Sequence, residues 1–399
     1  MARLTVLVSL VAAILAAEGV SAQGVLRGRS EWYGFMPKTS APHVVTMVAQ
    51  DSAGTQSSRT ISRRGNWIRV DRAVPVRQGN PIRQTVSFTN VRSRTSFEVG
   101  VGDGGRPQSI QIDGPSRSNV DPFTREPTDQ RDSVLGETCE IWNMAEDWWS
   151  RLSRPLTSQH CITSDGITLW SRTYFSSGEV TRSETAVSLE RRQVASDYVR
   201  PPSELFNWGY WLRMLSGTSA ASTEPDYELT MDADGKRPPH TIRAIMRQHG
   251  QWQYTEYIYA TGGLNIDIQS DRLLLTYTGG PEGPRSLQIT VFREVSASEK
   301  ARVAASAKAR AEELGLALGP VPLGQPTERI VGERCTWFDM SPSVRDAFLH
   351  WCRTEDGIPL RIDRGSQVTY TGLTARRLSR RQLSDRDIAP PRFVFDWLR

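Results

Sequence analysis

The sequence predicts an α+β protein, mostly antiparallel β, built as two tandem copies of one domain with one or two helices each. Three observations carry this expectation. Strand-like alternation between turn signals dominates the chain. A series of motifs recurs in the same order in the two halves. Only short stretches carry helical periodicity.

The 399-residue chain opens on Met1-Ala2-Arg3, a short basic start. An apolar run from Leu4 to Ala17 follows, then the small residues Val20-Ser21-Ala22 before Gln23. This is the three-part pattern of a secretory signal cleaved near Ala22, with a retained anchor as the competing reading. The run is short of the roughly 20 residues that cross a bilayer. No later segment is apolar enough to span, so a periplasmic or secreted protein without a transmembrane span is expected. Gln23 stands after the cut, so lipid attachment to a new N-terminal cysteine is not expected.

The net charge is +5 and the isoelectric point about 9.1. Such a balance favours anionic surfaces. The two signs are interspersed, however, and point first to simple solubility. No nucleic-acid partner is expected.

The repeat is visible in the C-terminal part of each half. Gly136-Glu137-Thr138-Cys139-Glu140-Ile141-Trp142 matches Gly332-Glu333-Arg334-Cys335-Thr336-Trp337. Cys161-Ile162-Thr163-Ser164-Asp165-Gly166-Ile167-Thr168-Leu169 matches Cys352-Arg353-Thr354-Glu355-Asp356-Gly357-Ile358-Pro359-Leu360. Leu189-Glu190-Arg191-Arg192-Gln193 matches Leu378-Ser379-Arg380-Arg381-Gln382. Both copies then reach a double proline, Pro201-Pro202 and Pro390-Pro391, and a Phe-x-Trp, Phe206-Asn207-Trp208 and Phe395-Asp396-Trp397. Upstream, Gly65-Asn66-Trp67 parallels Gly250-Gln251-Trp252, and Ser109-Ile110-Gln111-Ile112 parallels Ser286-Leu287-Gln288-Ile289. The copies therefore occupy residues 24–215 and 216–399, after a signal at 1–22. The small polar stretch Ser216 to Thr223 is the expected join.

Trp67-Ile68-Arg69-Val70-Asp71 alternates as a half-buried strand does. Gln253 to Tyr259 carries strand-favouring tyrosines. Leu273 to Tyr277, a turn through Gly279 to Pro284, and Leu287 to Val291 form a predicted hairpin. Asp165-Gly166 and Asp356-Gly357 are tight-turn dipeptides. In the second copy, Ser296 to Leu314 reads as a helical insertion: Ser296 and Glu299 can form a capping box and Gly315 can end it. The matching stretch of the first copy, Gly114 to Val134, reads as loop. Shorter helices are predicted around Ser343 to Trp351 and Ala145 to Leu152.

Two cysteines stand at matched positions in each copy. In an exported chain such pairs become disulfides. Self-contained copies select Cys139–Cys161 and Cys335–Cys352, each closing a loop worth about 3 kcal/mol on chain-entropy grounds. A metal site would need further ligands, and the five histidines, His43, His160, His240, His249 and His350, do not recur. No metal or cofactor is expected. His160 beside Cys161 and His350 near Cys352 allow a Cys–His nucleophile on paper, but an oxidised sulfur cannot attack.

Gly100 to Gly105 superficially resembles a phosphate-cradling loop, but a strand follows it and a hairpin turn is expected. No G-x-S-x-G, H-E-x-x-H or Walker loop is present, and no catalytic residue is proposed. Asp165 and Asp356 recur, but each precedes glycine at a turn. Arg191, Arg192, Arg380 and Arg381 are the candidate ligand contacts. Read as strand, each pair points to opposite faces, so one arginine of each approaches the buried side; a charge-guarded edge is the alternative. Arg376 and Arg377 add to the second copy. The tryptophans and the Phe-x-Trp endings fill a core or line an apolar cavity.

The repeated Gly-Glu-x-Cys, the Cys-x-Thr-x-Asp-Gly-Ile-x-Leu string, the terminal strand and the Pro-Pro-x-x-x-Phe resemble the LolA-like superfamily of periplasmic lipoprotein carriers. Tandem members with a cysteine pair in each copy are the nearest pattern. The resemblance implies a curved antiparallel sheet, an unclosed half-barrel, with helices on its concave side. It further implies a non-catalytic binding protein that carries or senses a lipid, a lipid-modified protein or another apolar envelope molecule. The alternative is a structural or interaction module that binds another envelope protein. An envelope hydrolase ranks third.

Overall fold

The computed structural model describes residues 41–73, 84–114, 123–146, 157–174, 178–215, 225–234, 241–280, 283–292, 320–340, 347–366 and 370–397, with five residues between 298 and 306. The expected signal and the expected join at 216–223 lie outside these residues. The chain divides into two compact units, the first ending at Leu205 and the second beginning at Phe206.

The first unit is an antiparallel sheet. Its N-terminal half supplies β1 (His43–Asp51), β2 (Gln56–Arg64), β3 (Trp67–Ala73), β4 (Gln84–Asn90), β5 (Thr95–Val101) and β6 (Pro107–Asp113). Its C-terminal half supplies β7 (Phe123–Val134), β8 (Glu137–Glu146), β9 (Thr157–Ile162), β10 (Thr168–Tyr174) and β11 (Val180–Glu190). β11 returns to lie beside β1, so the spatial order is β7-β8-β9-β10-β11-β1-β2-β3-β4-β5-β6. Every pairing is antiparallel, as short connections allow.

The second unit begins with a short helix, α1 (Trp208–Met214), capped by the Asn207 side chain on the Gly209 amide. Then come β12 (Tyr227–Ala233), β13 (Thr241–His249), β14 (Trp252–Tyr259), β15 (Leu264–Gln269), β16 (Leu273–Gly280) and β17 (Gly283–Val291). β18 (Val321–Pro322), β19 (Glu328–Ile330), β20 (Glu333–Asp339), β21 (Ala347–Arg353), β22 (Pro359–Ser366) and β23 (Tyr370–Ser379) complete it. β23 lies beside β12 as β11 lies beside β1. The topology of the first unit thus repeats, with β18 and β19 together taking the place of β7 on β20. The predicted hairpin through Gly279 is β16–β17, and the Gly100–Gly105 turn joins β5 to β6.

Three secondary-structure expectations are corrected. Ala347 to Trp351 is strand, not helix, because it pairs with both β20 and β22 and carries Cys352 to its partner. Ala145 lies in β8, not in a helix; residues 147–152 lie outside the described ones. Phe123 to Val134 is strand, not loop. Pairing with β8 overrides its polar composition, and a register shift between Pro127 and Arg131 accommodates the proline at a sheet edge. In the 296–314 stretch, Ser298, Ala301, Arg302, Ala305 and Ser306 are helical; the rest lies outside the described residues.

The β7–β8 and β19–β20 connections are two-residue turns, Leu135-Gly136 and Val331-Gly332. All four residues have positive φ: 56° and 78° in the first turn, 45° and 84° in the second. A two-residue hairpin demands such a backbone at both positions, which glycine adopts freely and leucine or valine only with strain.

The buried side of each sheet changes part-way across. Residues directly opposite in antiparallel strands share a face. Leu229, Met246 and Thr255 are such a row, and on β12 and β13 this face buries Leu229, Met231, Ala244 and Met246. On β15, β16 and β17 the opposite face is buried, through Ile266, Ile268, Leu275, Leu287 and Ile289. The first unit does the same: Val45, Ile61 and Val70 share one buried face. Val86, Phe88, Phe97, Val99, Ile110 and Ile112 bury the other.

Candidate functional site

Three matched features stand out in each unit: a braced turn cluster, a terminal strap and a polar sheet face. The turn cluster absorbs most of the repeated motifs. Cys139 bonds Cys161 and Cys335 bonds Cys352, each with a Cα–Cα separation of 5.2 Å between adjacent strands. Beside the first bridge, Arg191 pairs with Glu137 at 2.6 Å and with Asp165 at 2.9 Å. Beside the second, Arg380 pairs with Glu333 and, at 3.1 Å, with Asp356. One guanidinium therefore ties the Gly-Glu turn to the Asp-Gly turn. In both turns a threonine completes the arrangement. Thr163 donates to Asp165 and accepts from the Ile167 amide, as Thr354 does with Asp356 and the Ile358 amide.

The electrostatics follow. The hydrogen bond from Arg191 is the largest influence holding the Asp165 carboxyl below its ordinary range. Burial pushes Asp356 up, but hydrogen bonds from Thr354 and Arg380 outweigh it and hold this carboxyl low too. Arg192 pairs with Glu190 at 2.7 Å, and Arg381 with Asp387 at 2.9 Å. The four candidate arginines are thus engaged by carboxylates of their own units. Their strand placement is corrected: β11 ends at Glu190 and β23 at Ser379, one residue before each arginine pair.

Past these arginines each chain forms a strap without strand structure. Val194, Val199 and Leu205 of the first strap are buried, and so are Leu383, Ile388 and Val394 at the matched positions of the second. Arg64 donates to the Val194 carbonyl and Arg69 to that of Tyr198, whose ring lies 4.0 Å from the Arg69 guanidinium. In the second unit the Leu383 amide donates to Asp226 and Arg247 donates to the Asp387 carbonyl. His249 shares Asp226 at 2.9 Å. Further along, Phe393 meets the Tyr277 ring at 5.7 Å on the buried face of β16. Of the Phe-x-Trp residues, Trp397 is buried and Trp208 half-buried against Trp252.

The other face of β14–β17 is polar. Its central row is Thr255, Asp267, Thr276 and Gln288. Gln253, Gln269, Leu274 and Thr290 flank it on one side, and Tyr257, Asn265, Thr278 and Ser286 on the other. Asn265 donates to Asp267 at 3.0 Å and accepts from Thr278 at 3.1 Å, while Gln269 donates to Gln253. Burial raises the Asp267 carboxyl above its ordinary range despite hydrogen bonds from Thr276 and Asn265. The equivalent row of the first unit is Val70, Ser87, Glu98 and Gln111. Burial raises Glu98 likewise, against a lowering by Arg72. Each unit therefore sets one carboxylate opposite one hydroxyl in the same strand pair, half-buried as Asp267 and exposed as Glu98. The carboxylate sits on β15 in one unit and on β5, the counterpart of β16, in the other. Sequence reasoning missed both, because the exchange hides them from any motif; the Gln111–Gln288 match was the available signal.

Among the described residues, no group of three or more His, Cys, Asp or Glu could hold a metal ion. Nor is any described helix long and apolar enough to cross a membrane.

No family model matches the chain, and no curated protein matches it. Solved structures with a similar arrangement include MucB in complex with periplasmic MucA, at 13% identity over 67% of this chain and 92% of that one, TM-score 0.27. A LolA superfamily protein from Nitrosomonas europaea matches at 10% identity over 42% of this chain and 92% of its own, TM-score 0.20. A DUF1329 family protein from Desulfovibrio piger matches at 10% identity over 41% and 90%, TM-score 0.18. At scores this low the likenesses support no transfer of role.

Proposed function

We propose that this chain is an exported, non-catalytic binding protein of the cell envelope that engages a partner on the polar faces of its sheets. The observation that carries the reading is the strap. Each unit lays its own terminal segment on one of the two apolar areas of its sheet: in the second unit Leu383, Ile388 and Val394 are buried and Phe393 meets Tyr277. Lipid carriage, which the LolA-like resemblance implies, would require that segment to leave. The two disulfides support an oxidising compartment. The self-paired carboxylates of the turn clusters support a bracing role for Arg191, Arg192, Arg380 and Arg381 rather than contact with ligand.

Native mass spectrometry of protein purified from a periplasm, followed by organic extraction, tests this. The expected spectrum is the bare chain, with no uptake of added phospholipid. A reproducible lipid or acyl mass would replace the proposal with the carrier reading.

A further inference from the structure

We propose that the terminal strap of the second unit is an acid-released cover, whereas the strap of the first unit stays closed in acid. The inference rests on the reading that both straps lie closed on their sheets at neutral pH. The two straps match in their buried apolar residues but not in how they are tied down. In the second unit the ties run through carboxylates. The Leu383 amide donates to Asp226 at 2.9 Å. Asp387 accepts from the Ser384 amide and hydroxyl at 2.9 and 2.7 Å, and pairs with Arg381 at 2.9 Å. Arg381 also reaches Glu228 on β12 at 3.4 Å. Glu228 pairs with Arg247 on β13 at 2.9 Å, and Arg247 donates to the Asp387 carbonyl at 3.1 Å. His249, also on β13, shares Asp226 and faces Asp385 of the strap at 3.8 Å. On β14 the Tyr254 ring lies beneath Arg247, and its hydroxyl donates to Glu256.

The first strap is tied by guanidiniums on carbonyls. Arg64 donates to Val194 at 2.7 Å and Arg69 to Tyr198 at 3.1 Å, with the Tyr198 ring against the Arg69 guanidinium. Asp71 steadies Arg69 from the same strand at 2.7 Å, and Asp197 holds the Tyr198 amide within the strap at 3.0 Å. The contrast falls at matched positions. Arg64 and His249 each stand three residues before the tryptophan of a Gly-x-Trp motif, and Tyr198 and Asp387 each three before a double proline. The Arg191 and Arg380 clusters at the strap starts are common to both units and cancel in the comparison.

A guanidinium keeps its proton in any folded protein, whereas a protonated carboxyl no longer makes a charge-assisted bond. Burial pushes the Asp226 carboxyl up, but hydrogen bonds from the Leu383 amide and His249 outweigh it and hold it below its ordinary range. The hydrogen bond from Arg247 is the largest influence holding Glu228 low, and that from the Ser384 hydroxyl the largest holding Asp387 low. Carboxyls held low contribute their hold above the ordinary range and lose it as pH falls through their folded values. Release uncovers the apolar face on which Phe393 meets Tyr277.

The test is amide hydrogen exchange on the full mature chain at pH 6.5 and 3.5, read as protection relative to the free-chain rate. The Val394 and Leu205 amides are matched probes, since each donates to the carbonyl of the second proline of its pair and neither to a carboxylate. From pH 6.5 to 3.5, Val394 protection should fall at least about tenfold, the factor that one unit of pKa difference in a single carboxyl supplies. Leu205, β12 and β16 should keep theirs. The double variant Asp226→Asn, Asp387→Asn keeps both side-chain shapes without the charge. It should show at pH 6.5 the Val394 protection of the parent at pH 3.5, with near-ultraviolet circular dichroism confirming the fold. Val394 protected equally at both pH values, Val394 and Leu205 released together, β12 and β16 released with Val394, or a double variant that behaves as the parent overturns the inference. A Val394 amide already open in the parent at pH 6.5 defeats instead the reading beneath it, that the strap is closed.

Discussion

Replacing Leu383 with alanine tests whether the strap belongs to the core of the second unit. Leu383 is 4% exposed, and its amide is held by Asp226 at 2.9 Å. The substitution removes buried methyl groups without touching that hydrogen bond. Truncating a buried leucine costs about 2–5 kcal/mol, the upper part of the range applying where the surroundings cannot collapse. Native domains are stable by only about 5–15 kcal/mol, so a loss of this size is a large fraction of the total. Ile388→Val is the graded control, with about 0.5–1.5 kcal/mol expected for one methylene. Urea unfolding followed by tryptophan fluorescence gives the midpoints. The transition of the second unit is fitted separately, because two compact units need not unfold together. A loss below about 0.5 kcal/mol for Leu383→Ala, within the range of ordinary surface substitutions, would refute the reasoning and make the strap a loosely held cover.

Further outcomes follow from the same geometry. Replacing Cys335 and Cys352 with serine should cost about 3 kcal/mol by releasing the closed loop, read as a lower unfolding midpoint of the second unit with the Cys139–Cys161 bridge of the first kept. Val331→Asn should raise the midpoint, because asparagine accepts the positive φ of the β19–β20 turn that valine adopts only under strain, worth about 1 kcal/mol; a fall would contradict the turn assignment. The pH dependence has two signs. Asp165 and Asp356 are held low, so their stabilisation is present above the ordinary aspartate range and lost as pH falls through their folded values. Asp267 is raised, so its favourable contribution exists in acid and is lost as pH rises through its folded value. Asp267→Asn should therefore stabilise the chain at neutral pH and match the parent in acid; an equal effect at both would sink the assignment.

The parts legible in the sequence were those written contiguously. Gly-Glu, Asp-Gly and the paired arginines each declare a turn or a strand end, and their repetition made the two sheets predictable. Their shared purpose was not legible, since Arg380 reaches Glu333 and Asp356 across 47 and 24 residues. β7 and β21 were misread for opposite reasons. β7 has loop-like residues whose pairing with β8 decides their conformation. β21 has a short apolar spacing that suits either helix or strand, and its two neighbours decide for strand. The polar row escaped entirely, because Glu98 and Asp267 lie on non-equivalent strands and align only once register is known.

Hydrogen exchange at the strap amides tests the central claim most directly. If each unit fills its own sheet permanently, the Leu383 and Val394 amides, bonded to Asp226 and to the Pro391 carbonyl, should be protected nearly as strongly as those of β12 and β16, opening only with the whole unit. Exchange through a low-energy local opening, with β12 and β16 still protected, would contradict the account and return the apolar side of the sheet to an apolar ligand.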